Sequence, residues 1–153
     1  MTVIRTAQAS DLPELASLFR QTVLIHAPQH YTSAQTEAWA AATTDSDRFR
    51  HLILGVTTYI VADDTSILGF AGIGEDGYVA SVYVRHDCIR QGIGSRLMKT
   101  VLDHAKRDNL ERLYAEASEF SLGLFTKFGF TLYGTEVVER RGVQFKRYLV
   151  ERY

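Results

Sequence analysis

The sequence predicts a mixed α/β (α+β) fold, in which a central, mostly antiparallel sheet of about seven strands is flanked by helices. Three observations predict it. Short β-branched runs alternate with longer stretches of helical apolar period. The middle runs follow one another through turn residues, as hairpins, whereas helical stretches divide the others. Finally, Tyr78–Val84 is apolar, Arg85–Gln91 is polar, and from Gly92 onward Ile93, Leu97, Met98, Val101, Leu102 and Ala105 repeat on one helical face. That last order is strand, glycine-containing loop, helix.

Thr2–Ala7 reads as a first strand. Asp11 is placed to cap a helix, with Glu14 three residues on completing a capping box and Pro13 in the tolerant first turn. Leu12, Leu15, Ala16, Phe19 and Val23 form its buried stripe, and Pro28 ends it. Thr32 or Ser33 caps a second, Ala-rich helix through about Ala42, and Asp45–His51 adds a helical turn. Gly55–Val61 and Ile67–Ile73 read as a hairpin. Gly72–Gly77 matches Gly-x-Gly-x-x-Gly, but a strand rather than a helix follows, so Asp76-Gly77 is a tight turn and not a dinucleotide fingerprint. Arg112–Ala117 is a strand, Glu119–Phe128 a helix stopped by Gly129, and Phe130–Glu139 with Val143–Glu151 a long terminal hairpin. The expected order is βααβββαβαββ.

A chain of 153 residues fits one domain, residues 1–153, with a real core. Its 17 Lys and Arg against 18 Asp and Glu give a formal charge of −1, which supports neither nucleic-acid nor polybasic membrane binding. Cys88 is the single cysteine, so no intrachain disulfide forms, and a cytoplasmic location is expected. No signal peptide or membrane-length apolar run is visible. The histidines are scattered: His26 and His30 lie four apart with Pro28 between them and no Cys or acidic partner, so no metal is expected.

The strand–loop–helix unit presents backbone N–H groups and the positive end of a helix, which is an anion site. Gly92 and Gly94, without Cβ, allow close approach of a ligand to the backbone.

This unit resembles the central motif of the GNAT superfamily of N-acetyltransferases, (Gln/Arg)-x-x-Gly-x-(Gly/Ala) between strand and helix. Here it reads Ile89, Arg90, Gln91, Gly92, Ile93, Gly94, with Ile89 at the usual Gln/Arg position and Arg90 displaced by one. A second stretch, Ser118–Phe130, resembles the superfamily's Asn-x-x-Ala-x-x-x-Tyr-x-Lys-x-Gly-Phe helix signature: Lys127, Gly129 and Phe130 fit, Ser118 replaces Asn, and Phe125 replaces the Tyr that protonates the thiolate in many members. Tyr31, Gln35 and Trp39, then Glu116-Ala117-Ser118, then Arg141-Gly142 resemble segments of a smaller bacterial branch.

The resemblance implies a GNAT fold and acetyl-coenzyme A-dependent transfer to a primary amine of a small molecule or peptide. It assigns cofactor contact to Val82, Tyr83 and Val84, to the loop Arg90, Gln91, Gly92, Ile93, Gly94 and Ser95, and to Ser118 and Phe125. Where some members carry a basic carboxylate this chain has Ala80. Glu116, alternating with Tyr114 and Ser118 on one strand face, is the substitute base. With Phe125 at the Tyr position, Tyr83, Tyr31 and Tyr133 are the candidate acids, and direct thiolate departure is the other route. Tyr31, Gln35 and Trp39 are the expected acceptor wall. The alternative function is an acyl-coenzyme A sensor of the same fold without turnover. The last strands are open to pairing two subunits as a homodimer.

Overall fold

The computed structural model describes residues 1–153. Seven strands and five helices follow one another as β1 (Val3–Thr6), α1 (Leu12–His26), α2 (Ser33–Ala40), α3 (Ser46–Leu54), β2 (Thr57–Ala62), β3 (Ile67–Ile73), β4 (Val79–Val84), α4 (Ile93–Arg107), β5 (Leu113–Ala117), α5 (Leu122–Lys127), β6 (Thr131–Arg140) and β7 (Val143–Arg152). The mixed α+β class and the strand count agree with the sequence reading. The sheet, however, is divided: β1-β2-β3-β4 form one antiparallel sheet and β5-β7-β6 another. They touch through a single parallel bridge, Tyr78 with Tyr114.

Gly77 explains the contact. It turns the β3–β4 hairpin with φ +94°, and a Cβ there would sit 2.1 Å from the carbonyl oxygen of Arg112. Only glycine lets the start of β4 meet the start of β5 this closely. The amide of Tyr114 donates to the carbonyl of Gly77 at 3.1 Å. Beyond this point the two strands separate and leave a wedge between the sheets.

Two apolar clusters flank the sheet. α4 packs Ile93, Leu97, Met98, Val101 and Ala105 with Phe125, Phe130 and Val150 on one side. On the other, Leu15, Leu18, Phe19 and Val23 of α1 join Phe49 and Ile53 of α3 against Ile60 and Phe70.

The local signals differ from expectation in three places. α3 is a full helix rather than an added turn: Asp45 caps it by accepting from the Arg48 amide at 3.1 Å, and Phe49 and Ile53, four apart, are buried. The capping box near the N-terminus lies one turn earlier, where Asp11 accepts from the Gln8 amide and from Arg5 (each 2.8 Å). Glu14 instead reaches across to the Ile67 amide at 2.6 Å. The helix expected over Glu119–Phe128 starts only at Leu122, because Ser118 and Ser121 build a hydroxyl-bonded turn ahead of it.

Candidate active site

The wedge between β4 and β5 opens into a cavity of about 920 Å³. One wall is the free edge of β4. The amide of Arg85 donates to Leu68, so residues 81, 83 and 85 spend their backbone groups on β3, and by alternation those of Val82 and Val84 face the wedge. The Val84 carbonyl is taken by the Thr22 hydroxyl at 3.1 Å. Tyr83 itself is therefore committed to β3 through its backbone and lines the cavity with its side chain.

At the end of β4 the chain turns into α4. Arg90 (φ +62°) and Gly92 (φ +83°) both have left-handed backbone on either side of Gln91, a conformation that gathers successive N–H groups into an anion-binding concavity. Gly92 is the N-cap of α4, with no side chain to occupy the first helical amides. These groups are available to a pyrophosphate, together with the helix dipole. Space above Gly92 is free, so its glycine requirement is one of φ alone. Arg90 lines the cavity, Gln91 is exposed, and Ile93 contributes backbone only because its side chain is buried in the core. A Cβ at Gly94 would meet Leu124 at 3.4 Å, and the Ser95 hydroxyl accepts from Lys127 at 3.1 Å, tying the loop to α5. Ser118 and Phe125 both line the cavity; Phe125 is buried edge-on against Phe130.

Glu116 faces the cavity from β5. Its Oε1 lies 3.6 Å from Arg147, whose guanidinium is shared with Glu136, and its Oε2 is buried without a hydrogen-bond partner. Neighbouring Tyr78 is pushed up in pKa by burial and then by the Glu116 carboxylate, so its phenol stays protonated.

Another side of the cavity is aromatic. The rings of Tyr31 and Trp39 meet at 5.3 Å, and Phe120 and Phe145 lie 6.0 Å and 6.2 Å from Tyr31. Trp39 Nε1 donates to the Tyr83 hydroxyl at 3.1 Å, and Tyr31 accepts from the Glu119 amide at 3.0 Å. Burial raises the phenols of both Tyr83 and Tyr31. Gln35 does not join this wall: its side chain closes the Thr32 capping box and donates to the Gln144 carbonyl at 3.0 Å. It ties α2 to the β6–β7 hairpin instead. Tyr133 lies outside the cavity lining, over Arg112. Cys88 is a buried loop thiol whose pKa is raised by burial, an unreactive state.

Phe120, Phe145, Tyr78 and Arg147 are cavity residues that the sequence did not single out. The period-two alternation of β7, which puts Phe145, Arg147 and Leu149 on the face of Glu116, carried that information once the register was known.

Residues 27–151 match the acetyltransferase (GNAT) domain family. The uncharacterized N-acetyltransferase YafP of Escherichia coli strain K12 is 26% identical over 145 residues, covering 95% of this chain and 91% of that protein. Among solved structures, a GCN5-related N-acetyltransferase from Rhodopseudomonas palustris superposes with a TM-score of 0.94 at 22% identity over 99% of this chain and 95% of its own. The PaiA N-acetyltransferase of Thermoplasma acidophilum, solved with coenzyme A, gives 0.81 at 15% identity over 99% and 98% of the two chains. The wedge, the anion-binding turn before α4 and the family match together show that the chain belongs to the GNAT family of acetyltransferases.

Proposed function

We propose that the protein is an acetyl-coenzyme A-dependent N-acetyltransferase that acetylates a small primary amine by direct transfer. The observation that carries the reading is the Glu116 carboxylate on the lining of the same wedge that the α4 turn closes. The cofactor would supply an activated acetyl thioester. Arg90–Ser95 would hold its pyrophosphate through backbone N–H groups, and the free edge of β4 at Val82 and Val84 would hold the pantetheine arm. Ser118 and Phe125 border the same space. An alkylamine has a pKa of about 10, so it arrives as ammonium and must lose a proton before it attacks. The Glu116 carboxylate takes that proton, directly or through one water. The β4 edge amides donate to the thioester oxygen as negative charge develops there.

Tyr83 takes a different part from the acid found in many relatives of this fold. Its phenol is raised by burial, so full transfer to a thiolate of pKa about 8.5 is uphill. Tyr83 serves as a protonated hydrogen-bond donor, held in place by Trp39, and the thiolate leaves unprotonated. Tyr31 and Trp39 wall the acceptor. A reducing cytosol suits the lone Cys88 thiol, and β6, the exposed edge of its sheet, is where two subunits would pair.

The test is thiol release from acetyl-coenzyme A across a panel of amines, with melting temperature recorded in parallel. Release that collapses in Glu116→Gln supports the transferase. Stabilisation by coenzyme A with no release from any amine favours the sensor reading, which Ala80 and Phe125 motivate. Neither effect would refute both.

A further inference from the structure

The far end of the cavity carries a charge pattern that a plain alkylamine does not use. Six Arg or Lys and three Asp or Glu side chains line the cavity, a local excess of positive charge in a chain whose overall charge is −1. The excess is not all at the cofactor turn. Arg140 and Arg141 sit at the tip of the β6–β7 hairpin, and Arg48 on α3. These elements meet directly: Arg141 donates to the Ala41 carbonyl (3.3 Å) and the Thr44 hydroxyl (2.8 Å), one turn before Arg48.

The roles of the cations differ. Arg141 is spent on that bridge, and Arg147 is held by Glu136 and Glu116. Arg140 donates only to the neighbouring Glu139 carbonyl, and neither it nor Arg48 has a carboxylate within 4.0 Å. Asp45, the acidic residue that lines this end of the cavity, is engaged as the cap of α3. Strand alternation puts Arg140 on the same face as Val138 and, across the ladder, Phe145 and Arg147, the face that also bears Glu116. The wall thus runs from the Glu116 carboxylate, across an aromatic strip of Phe145, Tyr31 and Trp39, to two arginines that make no ion pair.

We propose that the acceptor is a small amine carrying its own anionic group, a free amino acid being the simplest case. Arg140 and Arg48 hold its carboxylate, the aromatic strip takes its side chain, and its ammonium is directed to Glu116. The polarity of the wall sets the orientation: reversed, the substrate carboxylate would face Glu116 and its ammonium two arginines. The hydrogen bonds of Gln35 and Arg141 that tie the hairpin to α2 and to the connection before α3 bridge this end of the cavity, which favours a small molecule over a peptide chain.

The proposal rests on the transferase reading, so its test separates the two. Thiol release is measured for a panel of amino acids, each beside its decarboxylated amine. The amino acids are expected to be favoured in kcat/KM by roughly ten- to a hundred-fold, the loss that follows from leaving a charged hydrogen-bonding site unpaired. In Arg140→Gln and Arg48→Gln that ratio falls toward one, with melting temperatures held. Stabilisation of the coenzyme A complex by an amino acid but not by its amine, lost in Arg140→Gln, supports the anion site independently of turnover. Decarboxylated amines used as well as the acids, a preference that survives both substitutions, or acetylation of peptides alone would overturn the proposal while leaving the transferase standing. No release from any member, with no stabilisation by coenzyme A, would instead overturn the transferase reading on which it rests.

Discussion

Substituting Gly77 by Ala tests how the wedge is made. The added methyl would lie 2.1 Å from the Arg112 carbonyl oxygen, roughly 1.4 Å inside the closest comfortable separation. Backbone must move, because the obstacle is backbone rather than a flexible side chain. The left-handed conformation at φ +94° adds about 1–2 kcal/mol for a residue with Cβ. Separating the strands also weakens the Tyr114-to-Gly77 hydrogen bond, worth about 1 kcal/mol. A total near 3 kcal/mol corresponds to a fall in Tm of about 6–12 °C for a chain of this size. Thermal unfolding measures it, and coenzyme A affinity should fall alongside, since the methyl displaces one wall of the cleft. Gly123→Ala is the control: its φ is not positive and nothing lies within 4 Å of its Cβ, so it should be neutral or slightly stabilising. A Gly77→Ala protein that melts with the wild type would refute the account of why the two sheets meet where they do.

Further outcomes can be checked by the same methods. Glu116→Gln should lower kcat by about 10²–10⁴ while keeping coenzyme A affinity; unchanged turnover would exclude Glu116 as the base. Trp39→Phe removes the donor to Tyr83 and part of the aromatic wall, so a Tm loss of a few degrees should accompany a raised acceptor KM; a Tm loss alone would leave Trp39 purely a packing residue. The Asp11 carboxylate is held below its usual range, chiefly by the Arg5 hydrogen bonds. A folded pKa below the unfolded one contributes stability above the unfolded value, about 3.9, that is lost as pH falls through the folded value. Asp11→Asn should therefore lower Tm at neutral pH, with the gap from wild type closing as the medium is acidified below pH 4; a constant gap would locate the loss elsewhere.

Much of the cavity lining could be read before the fold because its signals are local. The strand, turn and helix of Tyr78–Met98 need only β-branching, two glycines and a helical period, and the first helical amides are unfilled wherever Gly is the N-cap. Glu116 and Trp39 likewise declare their faces by alternation and by helical spacing. What escaped depends on long-range geometry. The point where the two sheets meet depends on one close approach, Gly77 against Arg112, between residues 35 positions apart. Spacing to Trp39 points Gln35 at the acceptor wall, yet the carbonyl of Gln144 is too far along the chain for spacing to reveal it as the competing partner. Glu14 left its expected cap for the same reason, drawn to the Ile67 amide at the start of β3.

The β4 edge bears on self-association. An unpaired strand edge is normally a seed for aggregation, and exposed ones are blunted with charge, proline or a covering element. Here the vacant amides of Val82 and Val84 open inward, into a slot closed at one end by the Tyr78–Tyr114 bridge and at the other by the turn into α4. A flexible, narrow arm can complete such a half-finished ladder where another protein's strand, with side chains on both faces, is kept out. Amide exchange at Val82 and Val84 that slows sharply on adding coenzyme A would be the signature of such an arm in the slot.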